Sequence, residues 1–239
     1  VLDLYATLPN QTGSNKLTPF DASSPSDVSP DIAWSNNSLL IGFLADLSLD
    51  NVIELYTTTP TPQLPTIYKV SGALTTDGNV DSFAWAPNSQ FIAYLATQDF
   101  KNIFELYVSL PTTPGSDTKV NLPLLDNGQN VEDDYAWSPD SSRIAYRANQ
   151  DDLNTIELYS STPNATINSK VSGTITPTGG KIENFKWEQA GLGIAYRANQ
   201  DVFAKIELYT SLPDGTDNTK ISGTITPPDG DVDEFDWVP

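Results

Sequence analysis

Trp137-Ser138-Pro139-Asp140-Ser141-Ser142-Arg143-Ile144-Ala145-Tyr146, followed after a polar turn by Ile156-Glu157-Leu158-Tyr159, decides the fold of this 239-residue chain. Its landmarks recur from end to end. Tryptophan falls at Trp34, Trp85, Trp137, Trp187 and Trp237, at steps of 51, 52, 50 and 50. An acidic-Leu-Tyr triplet recurs as Asp3-Leu4-Tyr5, Glu54-Leu55-Tyr56, Glu105-Leu106-Tyr107, Glu157-Leu158-Tyr159 and Glu207-Leu208-Tyr209. Four residues after each of these tyrosines comes Pro9, Pro60, Pro111, Pro163 or Pro213. Between Trp and triplet lies an Ile-Gly/Ala-aromatic run ending at Phe43, Tyr94, Tyr146 or Tyr196, always nine residues past the Trp and thirteen before the triplet Tyr. Self-similarity at a fixed period is the mark of a repeat architecture.

Within each copy the local signals are strand and turn. Val80 to Trp85 alternates polar and apolar residues, and Pro-Asn or Pro-Asp then suits a type I turn. Arg143 to Ala148 is apolar and aromatic, as a strand buried on both faces should be. The triplet makes a third strand. A fourth carries a lysine at a fixed place, Lys16, Lys69, Lys119, Lys170 and Lys220, before Asp77-Gly78, Asn127-Gly128, Gly179-Gly180 or Asp229-Gly230 leads to the next Trp strand. No helical period of useful length appears. Four short strands per repeat of this length define a β-propeller blade, lettered here a (Trp), b (Ile-Ala-Tyr), c (Glu-Leu-Tyr) and d (Lys) from the axis outward. The lysines are read as charges guarding the exposed edge strand d, with an anion contact as the alternative. The repeated Trp and Tyr are read as blade-to-blade packing, with each Trp largely buried.

The fold expected is all-β: a five-bladed propeller of four-stranded antiparallel blades in one domain, residues 1–239. Its repeat units are 28–79, 80–130, 131–181 and 182–231, with 1–27 and 232–239 forming a closing blade shared by the two termini. Five a, five c and five d strands are countable but only four b strands, so the closing blade lacks its second strand. The fixed spacings make that gap about 15 residues long. Either a segment outside this sequence supplies the strand, or a neighbouring molecule adds one and the chain self-associates.

The quoted runs resemble TolB-type β-propeller repeats, whose pattern reads W-S-P-D-G-x-x-I-A-F/Y, a polar turn, then x-I/L-Y. The resemblance covers essentially the whole chain, with Ser141 where the pattern has Gly and Trp187-Glu188-Gln189-Ala190-Gly191 lacking Pro-Asp. It implies an extracytoplasmic protein (secreted, cell-surface or periplasmic) acting as a docking platform, in a family some of whose members carry hydrolase or lyase sites. Fold alone does not settle function.

Composition narrows the chemistry. There is no His and no Cys, which excludes imidazole acid–base catalysis, Ser–His–Asp triads, thiolate nucleophiles and disulfides. With no Met either, the sequence reads as a processed or partial product. The net charge of −19 argues against nucleic acid and anionic membranes as partners, and no apolar run is long enough to insert in a bilayer. A protein partner, or self-association through the incomplete closing blade, is expected instead. Three sequons stand in turns, at Asn10, Asn36 and Asn164.

A catalytic carboxylate pair needs two unlike environments, so it should break the repeat. The acids here mostly obey it: Asp31, Asp81, Glu132, Glu183 and Asp233 all stand at the entry to strand a. The off-register Asp133, Asp134 and Asp236 form no recognisable pair. The chain is therefore read as non-catalytic, the alternative being a carbohydrate-binding propeller or a carboxylate-dependent glycoside hydrolase or lyase. The five entry acids would ring the channel mouth and receive a cation or a basic segment, unless they only cap turns or solvate the rim. In the b–c loops, Asp46-Leu47-Ser48-Leu49-Asp50-Asn51 partly matches a calcium loop, degraded in the other copies around Asp99, Asp151 and Asp201. Asp46, Ser48, Asp50, Asp99, Asp151 and Asp201 are thus candidate calcium ligands, with no cofactor required and a plain polar hairpin as the alternative. Arg147 and Arg197 are expected to pair with Glu157 and Glu207 across the b–c hairpin.

Overall fold

In the computed structural model, which describes residues 2–7, 13–18, 27–49, 51–61, 65–124, 128–224 and 230–238, every regular element is a β-strand. A two-stranded sheet comes first, β1 (Tyr5–Ala6) with β2 (Asn15–Lys16). The first full blade is β3 (Val28–Trp34), β4 (Ile41–Ala45), β5 (Glu54–Thr58) and β6 (Ile67–Lys69). The second is β7 (Val80–Trp85), β8 (Ile92–Ala96), β9 (Glu105–Ser109) and β10 (Thr118–Lys119). The third is β11 (Ala136–Trp137), β12 (Ile144–Ala148), β13 (Glu157–Ser161) and β14 (Asn168–Lys170). The fourth is β15 (Ile182–Trp187), β16 (Ile194–Ala198), β17 (Glu207–Ser211) and β18 (Thr219–Lys220). Each is a four-stranded sheet in the order a-b-c-d. The chain divides into two compact units, Val1–Thr118 and Lys119–Pro239, the boundary falling within β10. No helix among the described residues is long and apolar enough to cross a membrane.

Strands b and c carry the core. All five residues of β4, β5, β8 and β9 are buried, which explains why these segments are apolar throughout instead of alternating. The register sets the b-strand aromatic opposite the triplet Tyr in every blade, stacking Phe43 on Tyr56, Tyr94 on Tyr107, Tyr146 on Tyr159 and Tyr196 on Tyr209 at 5.3–5.8 Å between centroids. Within each unit, neighbouring blades interlock through a tryptophan. The indole of Trp85 donates to Ala33 O (3.1 Å) and that of Trp187 to Ala136 O (3.0 Å). Phe83 and Trp85 close so tightly on Gly42 that a Cβ there would lie 2.8 Å from the Phe83 ring.

The a–b turns need one residue in the left-handed region. Ser38, Ser89 and Ser141 take it at φ 59°, 60° and 63°, and Gly191 takes it in the fourth copy. Without Pro-Asp that copy still turns, because Glu188 accepts the backbone N–H of Ala190 (2.9 Å) as Asp140 accepts that of Ser142 (3.0 Å).

Two expectations are corrected. The tryptophans are not uniformly buried: Trp137 is 8% exposed but Trp34 is 50% exposed. Trp34 belongs to the first full blade, and among the described residues no strand b packs on it as β4 packs on Trp85. The expected fifth strand a is not a strand either. Residues 230–238 are latched to the fourth blade, Val232 N–H donating to Ile206 O (2.9 Å) and the Trp237 indole to Lys186 O (3.3 Å). Among the described residues they have no ladder partner, and a strand is defined by its ladder.

Candidate functional site

The buried ionisable groups form a repeated unit. In β5 the Tyr56 hydroxyl donates to Glu54 Oε2 (2.5 Å), and Lys69 on β6 ion-pairs with Oε1 of the same Glu. The same trio is Glu157, Tyr159 and Lys170 in the third blade and Glu207, Tyr209 and Lys220 in the fourth. The c–d register explains it: Tyr209 lies opposite Lys220, and Glu207 is its diagonal neighbour on one face. Burial first, then the adjacent Glu, pushes the Tyr56 and Tyr159 phenols above their ordinary value. The fixed lysine is therefore the partner of a buried carboxylate, beyond the edge-guarding role expected of it.

A second repeated unit is built on the b-strand hydroxyls. Tyr196 Oη donates to Gln200 Oε1 (2.8 Å) and accepts from Asn218 Nδ2 (2.6 Å) and Gly173 N (3.2 Å). Tyr94 makes the equivalent bonds to Gln98 (2.8 Å) and from Gly72 N (3.1 Å). In the first full blade, Phe43 has no hydroxyl and Leu47 stands in the Gln position, packed on the local core.

The entry acids share an unforeseen device. The β3–β4 register is irregular between Val28 and Ile32, the β7–β8 register shifts between Val80 and Ser82, and the β15–β16 register between Ile182 and Asn184. Asp31, Asp81 and Glu183 occupy these irregularities. A bulged residue leaves the ladder, which re-aims its side chain. Asp31 and Asp81 line one recess of about 260 Å³ in the first unit, with Ile32, Ala33, Ser82 and Phe83 and no basic residue. Ser29 Oγ donates to Asp31 (2.9 Å). In the second unit Glu132 follows the Val131–Ala148 bridge, and its N–H donates to Arg147 O (2.8 Å). Glu183 ion-pairs with Lys181 (3.3 Å). Asp233 lines a larger recess of about 660 Å³ with Glu234, Phe235, Asp236, Asn184, Lys186 and Arg197. That recess is mixed in charge, Lys186 reaching Asp236 (3.3 Å) and the Phe235 carbonyl (2.9 Å).

The b–c loop residues have local tasks. Asp46 accepts the backbone N–H of Asp27 (2.5 Å) and of Asn51 (3.3 Å). Asn149 and Asn199 cap the matching N–H groups of Asn130 and Lys181 at 2.6 Å, so the position serves the backbone with or without a charge. Ser48 bonds the Tyr56 hydroxyl (2.8 Å), while Asp151 and Asp201 lie 3.7 and 3.8 Å from Lys170 and Lys220. Burial first, then the charges of Glu105 and Asp99, pushes the Tyr107 phenol above its ordinary value. Asp50 falls outside the described residues, as does the sequon at Asn10. Among the described residues no three acidic side chains are gathered to hold a metal.

The arginine pairing is corrected. Arg147 lies opposite Leu158, while Glu157 lies opposite Ala148, so Arg147 and Glu157 point to opposite faces of the sheet. Arg147 instead bonds Asp134 (2.6 Å) and the Ile182 carbonyl (2.6 Å), giving the off-register Asp134 a partner. Arg197 lies opposite Leu208 in the same way; Asn184 stands where Asp134 does one repeat earlier, and the buried Arg197 Nε has no partner.

No family model matches this sequence, and no curated protein does. Solved structures do match its fold. The dipeptidyl peptidase 4 of Porphyromonas gingivalis aligns over 89% of this chain and 35% of its own at 14% identity, with a TM-score of 0.62. A prolyl endopeptidase aligns over 94% of this chain and 33% of its own at 12% identity, with a TM-score of 0.58. TolB from Acinetobacter baumannii aligns more loosely, over 89% of this chain and 46% of its own at 13% identity and a TM-score of 0.46. The chain thus spans about a third of the length of the two peptidases. The peptidase likenesses show the fold, a β-propeller of four-stranded blades, and at such identities they show the fold alone.

Proposed function

We propose that this chain is a non-catalytic binding module whose recess at Asp31 and Asp81 takes a lysine or arginine side chain of a protein partner. One observation carries the reading: two successive strands a each turn an acid out of the ladder at a bulge, into a recess with no basic lining residue. Neighbouring carboxylates without a counter-ion favour a cation there. The larger recess of the second unit already holds Lys186 and Arg197 among its acids and is the poorer candidate. The non-catalytic part rests on the Glu–Tyr–Lys trios. Their glutamates are among the most buried charged groups of the described residues, yet they repeat from blade to blade, whereas a catalytic pair needs two distinct environments. An extracytoplasmic setting belongs to the same proposal, supported by the Thr/Ser/Asn/Pro-rich surface and the exposed sequon at Asn164.

Binding of a fluorescent oligoarginine peptide, followed by anisotropy, tests the recess. The double variant Asp31→Asn/Asp81→Asn should weaken it about tenfold, and added salt should weaken it further. Asp152→Asn/Asp217→Asn removes the same formal charge from exposed positions of the second unit and should change affinity less than about twofold. Equal weakening by the two pairs would reduce the effect to overall charge and overturn the assignment.

A further inference from the structure

Unit one carries an unfinished packing surface, and its three parts call for the same missing element. The sheet of β1 and β2 has only two strands, so one edge of β1 has no ladder partner among the described residues. Tyr5 on β1 is 52% exposed, although its counterparts Tyr56, Tyr107, Tyr159 and Tyr209 are all buried. Each counterpart is covered by the aromatic of a strand b stacked on it. On β3, Ile32 is 44% and Trp34 50% exposed. Their counterparts Phe83 and Trp85 close on Gly42, the small residue that precedes the strand-b aromatic Phe43.

We infer that this surface binds one extended strand of a partner polypeptide, laid antiparallel on β1 and reading apolar, Gly or Ala, aromatic, any residue, Ala. The pattern follows from the interface already present between blades. The aromatic is specified by Tyr5, because the b–c register places aromatic opposite triplet Tyr in all four full blades. The small residue before it is specified by Ile32 and Trp34, since the equivalent position is Gly42 against Phe83 and Trp85 and Ala145 in the cluster on which Phe185 and Trp187 pack, with no room for a longer side chain. The final Ala is specified by Asp3, whose counterpart acids lie opposite Ala45, Ala96, Ala148 and Ala198. Main-chain bonds to the β1 edge supply affinity and the alternating pockets supply specificity, as in other strand additions. The inference does not depend on the recess at Asp31 and Asp81.

The probe is a capped ten-residue peptide with the sequence of residues 142–151, titrated into the whole chain and followed by calorimetry and amide hydrogen exchange. Saturable binding is expected, with slowed exchange at Leu4 to Ala6. Peptides carrying Ala148→Pro, which removes an N–H on the side of strand b that faces strand c, or Tyr146→Ala, which removes the stack, should bind at least about tenfold more weakly. The chain variant Tyr5→Ala changes an exposed residue and should fold normally while losing affinity for the parent peptide to a similar degree. No binding at millimolar peptide, equal binding of the proline peptide, or protection that leaves residues 4–6 untouched would each overturn the inference.

Discussion

Replacing Tyr196 by Phe deletes one oxygen from a fully buried ring and tests the hydroxyl network directly. The ring keeps its shape and its stack on Tyr209 at 5.4 Å, so the hydrophobic contribution is nearly unchanged. What is lost is polar. Gly173 N–H and Gln200 Oε1 lose the hydroxyl, while Asn218 Nδ2 keeps a second bond to Val171 O (3.1 Å). Each buried group left unsatisfied costs about 1–3 kcal/mol, so two of them predict a loss of about 2–4 kcal/mol once some water entry is allowed. Tyr209→Phe is the control within the same blade. Its hydroxyl donates to Glu207 (3.1 Å), which still holds Lys220 (3.1 Å), so the loss should be about 1 kcal/mol. Urea unfolding followed by circular dichroism and tryptophan emission gives both values, provided the slope is unchanged between variants. A Tyr196→Phe penalty no larger than that of Tyr209→Phe would refute the network as a source of stability. Phe43 shows the arrangement compensated, with Leu47 replacing the glutamine that would otherwise lack its partner.

Alkaline pH should unfold the chain early. Burial holds the phenols of Tyr56, Tyr94, Tyr107, Tyr146, Tyr159, Tyr196 and Tyr209 above their ordinary 10.0, so the unfolded chain ionises first. Their contribution is complete below about pH 10 and falls as pH rises, by up to about 1.4 kcal/mol per pH unit for each tyrosine; a urea midpoint constant from pH 9 to 11 would contradict this. Asn184→Asp should give Arg197 the partner that Arg147 has in Asp134 and stabilise by about 1 kcal/mol in chemical denaturation, whereas a loss would mean the guanidinium is better served by water. Ala204→Gly should stabilise by about 0.5–1 kcal/mol, because Ala204 sits exposed at φ 58° where a Cβ is unfavourable; an unchanged melting temperature would argue against strain there. Asp46→Asn should keep the cap that Asn149 and Asn199 make, shifting stability by less than about 0.5 kcal/mol with or without millimolar calcium; a penalty confined to calcium buffer would instead mark a metal ligand.

The spacing of Trp, Ile-Ala-Tyr and Glu-Leu-Tyr made the strand order legible, because a residue that recurs at fixed steps must occupy the same place in each blade. What recurrence does not reveal is which face a side chain takes. The pairing of Arg147 with Glu157 failed for that reason: they are ten residues apart on a hairpin, and only the register tells that Ala148, not Arg147, stands opposite the acid. The fixed lysines were legible as strand d but not as partners of the buried Glu, which needs the diagonal from Lys220 past Tyr209 to Glu207. Asp31, Asp81 and Glu183 were found as a set, yet the bulges that expose them leave no residue-type signature. Trp34 could have been separated from the other tryptophans, since the strand-b count already left it without a predecessor.

The tryptophan bond between blades has a sense of direction. Three indoles reach back to a carbonyl of the preceding blade in their own unit, from Trp85 to Ala33, from Trp187 to Ala136 and from Trp237 to Lys186. Shortening the chain from its C-terminal side therefore removes donors and leaves only carbonyls, which water solvates readily. Shortening it from the N-terminal side strands an indole N–H against a surface that no longer answers it. Loss of material from the two ends is thus unequal, and such an array sheds its last blade more gently than its first.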